Sequence, residues 1–364
     1  MASDFLKEFA YDSGFSEDEI RVLAAADVRS AEDIDSLVNA FPSIADLGVR
    51  LPLVSNAAAQ HTSAVYSTVS AAPPAQSANI PLGALPPPGS AVVSPVALSS
   101  PAQPAGAAPA SLAAAIDLRL PSWPVRDQNP RGTCVAFGAI ACAEHLARNG
   151  QGKNLDYSEQ FLYWSIKTNS GDPSKATDGT WLIYADQMLA QGGVCRENLW
   201  PYVQQMVNPV SGATSTAPSA PAIKDGASNL FASTTYAKNP KGAAQTVLGL
   251  LQLGRPVAVC LPCFRDPLLP NGPINWALPV GWMYGRVLNP PPKSVVKGGH
   301  CVCVTGFVPD QNEQNGGYFI FRNSWGAAWA NLAPSTGNTL SPEQGYGEIS
   351  ATYVDTYCWE LLQL

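Results

Sequence analysis

At 364 residues the chain is long enough for one large domain or two smaller ones with a real core, but its charge is unevenly spread. Residues 1–50 carry 11 acids against 4 bases, residues 51–116 hold no Asp, Glu, Lys or Arg, and residues 117–364 hold 17 of each sign, so the net −7 belongs to the first fifty. An acidic head on a neutral body argues against nucleic acid as the main partner, because phosphate binding needs a clustered basic surface.

The first residues, MASDFLKEFAYDSG, place acids where a secretion signal needs a basic region followed by an apolar run. No later stretch offers ~20 consecutive apolar residues. The expectation is a soluble chain made in a reducing cytosol, with no membrane partner and with signal-less export left open. Within residues 1–50, Phe5 and Phe9, then Ile20 and Leu23, have helical spacing, and Ser16 with Glu19 forms a capping box. Ser30 to Val38 reads as another capped helix, ended at Phe41-Pro42. This predicts a small acidic helical domain, serving as an interaction module for a protein partner or as a pro-region. From Leu51 to Ile116 the composition is mostly Ala, Pro, Ser and Val, punctuated by Pro73-Pro74, Pro86-Pro87-Pro88 and Pro101. Such a segment has no sustained apolar period and reads as a disordered linker.

Residues 117–364 form the main domain. Its first part is helix-rich: Cys134 to Arg148 is one apolar helix with Gly150 as a stop, Ser158 opens a second, and Trp181 to Ala190 is a third closed by Gly192-Gly193. From Pro256 onward the pattern changes to strands over Val257–Leu261, Cys301–Thr305, Tyr318–Arg322 and Tyr346–Ser350. Helices first and strands later predict an α+β body of two packed halves, with a cleft between them as the natural place for a site. Two long loops, residues 265–297 and Ala328 to Gln344, flank the strands.

The eight cysteines all lie between Cys134 and Cys358, in a domain large enough to build its own core, which is not the pattern of a disulfide scaffold. Cys301 and Cys303 share one face of a strand and read as small hydrophobes. Cys260 and Cys263 have CxxC spacing, but no second pair or spare His accompanies them, so no metal is expected. No nucleotide or phosphate motif calls for a cofactor. Of three histidines, His61 lies in the linker, and His145 is eleven residues after Cys134 on the same helix, ~16 Å along its axis. That leaves His300, at the start of a strand. Cys134 begins a helix after Gly132-Thr133, where free N–H groups and the helix dipole favour a thiolate. Asn323 follows the strand that ends at Arg322. Each of the three alone has a bland reading, as a structural His, a buried Cys or a turn Asn; the order Cys, His, Asn is what lifts them together.

The stretch Asp127-Gln-Asn-Pro-Arg-Gly-Thr-Cys-Val-Ala-Phe resembles the nucleophile motif of the papain-like cysteine peptidases. Gly299-His-Cys-Val-Cys-Val-Thr-Gly-Phe resembles their histidine strand, and Asn323-Ser-Trp-Gly matches their asparagine motif letter for letter. Tyr157-Ser-Glu-Gln, Asp178-Gly179, Pro201-Tyr202 and Gly345-Tyr346-Gly add to a resemblance that spans about residues 117–358. It implies a two-lobed fold, with a helical lobe, a β-barrel-like lobe and the active site between them. It implies hydrolysis of peptide or protein substrates through an acyl-enzyme. Cys134 would attack as a thiolate, paired with protonated His300 at a thiol pKa of ~3–4. Asn323 would orient the imidazole, Trp325 would shield that bond, and Gln128 with the Cys134 N–H would form the oxyanion hole. Gly179 and Thr180 would offer backbone groups to an extended peptide, with Trp181 and Cys301 lining an apolar pocket.

Four departures from the family pattern stand out. Arg131 replaces a disulfide cysteine, as in bacterial-type variants, and Val135 replaces the usual Trp after the nucleophile. Thr180 replaces a Gly and is expected to crowd the pocket, and Gly298-Gly299 are expected to open it from the other wall. The linker near Ile80 to Pro88 is expected in or near the cleft as a restraint, as in a zymogen, with a simple tether as the alternative. A catalytically silent binding protein on this scaffold, and Cys–His acyl transfer or amidase chemistry, are the competing functions.

Overall fold

The computed structural model describes residues 80–88, 114–120, 123–151, 155–204, 217–265, 273–278, 281–282, 285–290, 293–310, 313, 315–330 and 343–364. The expected domain of residues 1–50, most of the linker with His61, and most of the loop from Ala328 to Gln344 lie outside the described residues.

A two-residue strand β1 (Ile116–Asp117) leads into three helices, α1 (Cys134–Gln151), α2 (Glu159–Asn169) and α3 (Leu182–Gln191). The start of α2 is set by Ser158, whose hydroxyl accepts the Phe161 N–H at 3.0 Å. The end of α3 is set by Gly192 and Gly193, whose N–H groups both reach the Met188 carbonyl at 2.9 Å; Gly193 has a φ of 66°, a conformation that favours glycine. α1 carries small residues on its inner side so that it can lie directly on the sheet. A Cβ added at Gly138 would stand 2.8 Å from Cys301 Sγ.

The strands are β2 (Thr235–Lys238), β3 (Val257–Arg265), β4 (Arg286–Val287), β5 (Val295–Pro309), β6 (Gly317–Arg322), β7 (Tyr346–Ser350) and β8 (Glu360–Gln363), with helices α4 (Ala220–Gly226), α5 (Ala243–Gln252) and α6 (Ala351–Tyr357) between them. The sheet runs β2-β8-β3-β5-β6-β7-β4, with β1 added to β5; its pairings are antiparallel except β4 with β7. Alternation along β3 divides the interior in two. Ala258 and Cys260 join the cluster of α1, α2 and α3, whereas Val257, Val259, Leu261 and Cys263 join the cluster of α5 and α6. Cys260 and Cys263 therefore belong to opposite faces, and all eight cysteines are free thiols. Cys301 and Cys303 share the face toward α1, as expected. His145 is buried on α1 near Trp123, in a packing position.

This arrangement sets the start of α1 against the ends of β5 and β6. The peptide carrying the α1 start is sewn to the chain after β6 by the Gln128 N–H to Ser324 carbonyl bond of 2.8 Å and the Gly326 N–H to Arg126 carbonyl bond of 2.8 Å. Arg131, buried, ties the same loop to α2 through Gln160 Oε1 at 2.7 Å and to the Val203 carbonyl at 2.5 Å, with its guanidinium over the Tyr202 ring. A non-covalent staple thus stands where the resemblance puts a disulfide.

Candidate active site

Cys134 is the first residue of α1 and is fully buried. His300 lies on β5 and Asn323 directly follows β6; antiparallel pairing of those strands brings the two side chains together. His300 Nε2 meets Asn323 Oδ1 at 2.7 Å, and the same oxygen accepts the Ser324 N–H at 2.8 Å. His300 Nδ1 is buried and has no hydrogen-bond partner among the described residues. The imidazole is held between two indoles. Trp325 lies 4.4 Å away at an interplanar angle of 30°, and Trp276 meets it edge-on at 5.3 Å. Trp276 comes from the 265–297 loop and was not foreseen; an aromatic beside Ile274 in a Pro-rich loop was its only signal.

Gln128 is fully buried. Its Oε1 accepts the Ser324 hydroxyl at 2.7 Å, which fixes the amide so that Nε2 donates to the Arg131 carbonyl at 2.7 Å and the Pro81 carbonyl at 3.3 Å. On the opposite wall, Gly179 has a φ of 86° and donates its N–H to the Gly132 carbonyl at 3.1 Å. A buried ion pair, Lys167 with Asp172 at 2.9 Å, supports this ridge: Lys167 also donates to the Gly179 carbonyl, and Thr180 Oγ1 donates to Asp172 Oδ2 at 2.9 Å. Thr180 therefore turns its hydroxyl down into the fold, because a buried carboxylate is there to receive it, and the crowding expected of it does not follow.

The groove between these walls is filled by the chain's own residues 80–88. Ala84 donates its N–H to the Gly299 carbonyl at 3.0 Å, Leu85 to the Thr180 carbonyl at 3.0 Å, and Thr180 to the Gly83 carbonyl at 2.9 Å. Trp181 Nε1 donates to the Pro86 carbonyl at 2.9 Å, and Lys238 Nζ to the Pro88 carbonyl at 2.8 Å. The segment runs parallel to the Thr180 ridge. Cys301 is buried in the cluster that also holds Cys134 and Ala84, not in an open pocket.

The electrostatics differ from the ion pair the sequence suggested. Burial pushes the Cys134 thiol up to about 12, with Cys301 adding to the rise and backbone hydrogen bonds involving Cys301, Gly83 and Val135 opposing it. Burial pulls His300 down to about 4 against the Asn323 bond. At neutral pH both groups are uncharged in this state, because burial removes the solvent that would stabilise either charge.

The family model described as papain family cysteine protease matches residues 112–333. Among solved structures, xylellain, a cysteine protease from Xylella fastidiosa, is similar at 21% identity and a TM-score of 0.52, over 70% of this chain and 86% of that one. Digestive procathepsin L 3 from the larval midgut of Tenebrio molitor is similar at 18% identity and a TM-score of 0.51, over 99% of this chain and 98% of that one. With a match over more than half its length and an α+β architecture shared with these enzymes, the chain belongs to the papain family of cysteine proteases.

Proposed function

We propose that the chain is a thiol endopeptidase whose own residues 80–88 hold it in check. The observation that carries the reading is the His300 geometry: Nε2 is taken by Asn323 at 2.7 Å while Nδ1 is buried and left without a partner. In this reading Asn323 fixes the ring, Nδ1 takes the Cys134 proton, and the thiolate attacks the scissile carbonyl carbon. The oxyanion that forms is met by Gln128 Nε2 and the Cys134 N–H at the start of α1. His300 then returns the proton to the leaving amine, and water hydrolyses the thioester. Trp325 and Trp276 keep bulk water from the His300–Asn323 bond.

Restraint follows from what the segment presents. Gly83 packs against the loop that carries the nucleophile, so tightly that an added Cβ would stand 2.2 Å from the Gly132 carbonyl oxygen. The ridge groups an incoming peptide would use on Gly299 and Thr180 are already occupied. Peptide-library cleavage under reducing conditions by the wild type beside Cys134→Ala tests the chemistry. Comparing the full chain with one starting at Ala115 tests the restraint, and equal rates would rule it out. Product analysis with an added amine separates hydrolysis from acyl transfer.

A further inference from the structure

Trp276, Trp325 and Trp329 form one run of ring contacts beside His300, and they differ in how they are held. The ring N–H groups of Trp325 and Trp329 are buried without a hydrogen-bond partner among the described residues, so packing alone sets those rings. Trp276 is tied. Its Nε1 donates to the hydroxyl of Tyr353, a fully buried residue of α6, at 3.2 Å. The same hydroxyl accepts Asn275 Nδ2 at 3.2 Å and donates to the Pro262 carbonyl at 2.5 Å, so its one donor and two acceptor sites are all used. Asn275 is stitched to β3 at its bulge, its N–H reaching the Phe264 carbonyl at 2.7 Å and its Oδ1 accepting the Phe264 N–H at 2.8 Å. Leu261 and Pro262 of β3 pair with His300 and Gly299 of β5. Tyr353 thus fastens α6 both to the strand opposite His300 and to the indole that meets the imidazole edge-on at 5.3 Å.

We propose that Tyr353 is a positioning residue for the catalytic imidazole: its hydroxyl holds Trp276 against His300 and so keeps water from the His300–Asn323 bond. The proposal deepens the peptidase reading and rests on it for the effect on turnover. Without the oxygen, the Trp276 indole and the Pro262 carbonyl lose this partner, and Asn275 Nδ2 keeps only the Leu288 carbonyl at 2.7 Å. Buried polar groups left in that state either turn away or draw in water. A turned Trp276 uncovers the imidazole, and water drawn to it arrives beside His300. Asn323 Oδ1 already receives both the His300 ring at 2.7 Å and the Ser324 N–H at 2.8 Å, so a water that binds there displaces the ring.

Two measurements on the full chain test it. The first needs no catalysis and follows, by nuclear magnetic resonance, solvent exchange of the His300 ring proton on Nε2. Tyr353→Phe raises that exchange at least about tenfold over wild type, while amide protection along β5 and β6 stays within about twofold. Tyr357→Phe deletes a hydroxyl one turn further along α6 and leaves the ring proton unchanged. Should Tyr353→Phe not fold, Trp276→Phe, which removes the donor instead of the acceptor, makes the same comparison. Unchanged exchange in Tyr353→Phe, an equal rise in Tyr357→Phe, or a rise shared by the amides of β5 and β6 overturns the proposal. The second is steady-state hydrolysis by the full chain carrying Gly83→Ala. Adding Tyr353→Phe lowers kcat about tenfold and moves KM less than about twofold, because the guarded bond orients the base and not the substrate. A raised KM at constant kcat, or no change in either, overturns it. A folded Gly83→Ala chain that cuts nothing contradicts the peptidase reading instead, and the exchange measurement still decides the role of Tyr353.

Discussion

Gly83→Ala is the smallest change that separates a seated segment from a loose one. A Cβ at that position would stand 2.2 Å from the Gly132 carbonyl oxygen, 2.3 Å from its carbon and 2.8 Å from its Cα. All three atoms are backbone, and Gly132 is itself held, with its N–H on Asp178 at 3.3 Å and its carbonyl on the Gly179 N–H at 3.1 Å. The wall cannot yield, so the segment must lift. Lifting at residue 83 breaks the Thr180–Gly83 bond and strains its two neighbours, Ala84–Gly299 and Leu85–Thr180. At about 1 kcal/mol net for the broken bond and up to as much for each strained one, the loss is about 1–3 kcal/mol, or ~5–150-fold in the population of the open chain. The assay is hydrolysis of a fluorogenic peptide by the full chain in reducing buffer, with thermal unfolding to confirm that the peptidase core is unchanged. An unaltered rate, in a preparation where the chain starting at Ala115 is fast, would refute the idea that this seat is what restrains the enzyme.

Other predictions follow from the same contacts. Gln128→Ala should lower kcat about 10²–10³-fold once the segment is removed, with folding intact, as measured by steady-state kinetics on the chain from Ala115. Asp172→Ala leaves the Lys167 ammonium buried without its counter-charge and removes the Thr180 contact, so a loss of about 3–5 kcal/mol is expected in denaturant unfolding. Acid should release the segment. His300 is depressed from 6.5 to about 4 in the closed state, so closure gains its full support above pH 6.5 and loses it as pH falls from 6.5 through 4. The ratio of full-chain rate to the rate of the chain from Ala115 should rise across that window; a flat ratio would contradict the argument.

Much of the site was legible because its chemistry is tied to local backbone. Cys134 had to begin a helix, His300 had to sit on a strand, and Asn323 had to follow one, and each left a readable motif. Elimination among three histidines left His300, because one stood in the linker and one too far along the same helix. What the sequence did not reveal depends on pieces far apart in the chain. Trp276 touches the site only through the packing of the 265–297 loop, and nothing local marks it as a neighbour of His300. The α6 helix was missed although Ser350 caps it, its hydroxyl accepting the Tyr353 N–H at 3.0 Å, because its seven residues are too short for a helical period to emerge. Thr180 was misjudged because a side chain's direction depends on what receives it, and Asp172 is invisible as a receiver until the fold is known. The charge states are likewise not legible from the motif, because burial raises the Cys134 thiol and lowers His300 in this state.

The central claim is a Cys134–His300–Asn323 peptidase, and its most direct test is library cleavage by the chain from Ala115, with and without Cys134→Ala, in reducing buffer. Cleavage by the first and none by the second is the predicted result. A folded, reduced chain from Ala115 that leaves every peptide intact, or a Cys134→Ala chain that still cuts, would contradict it.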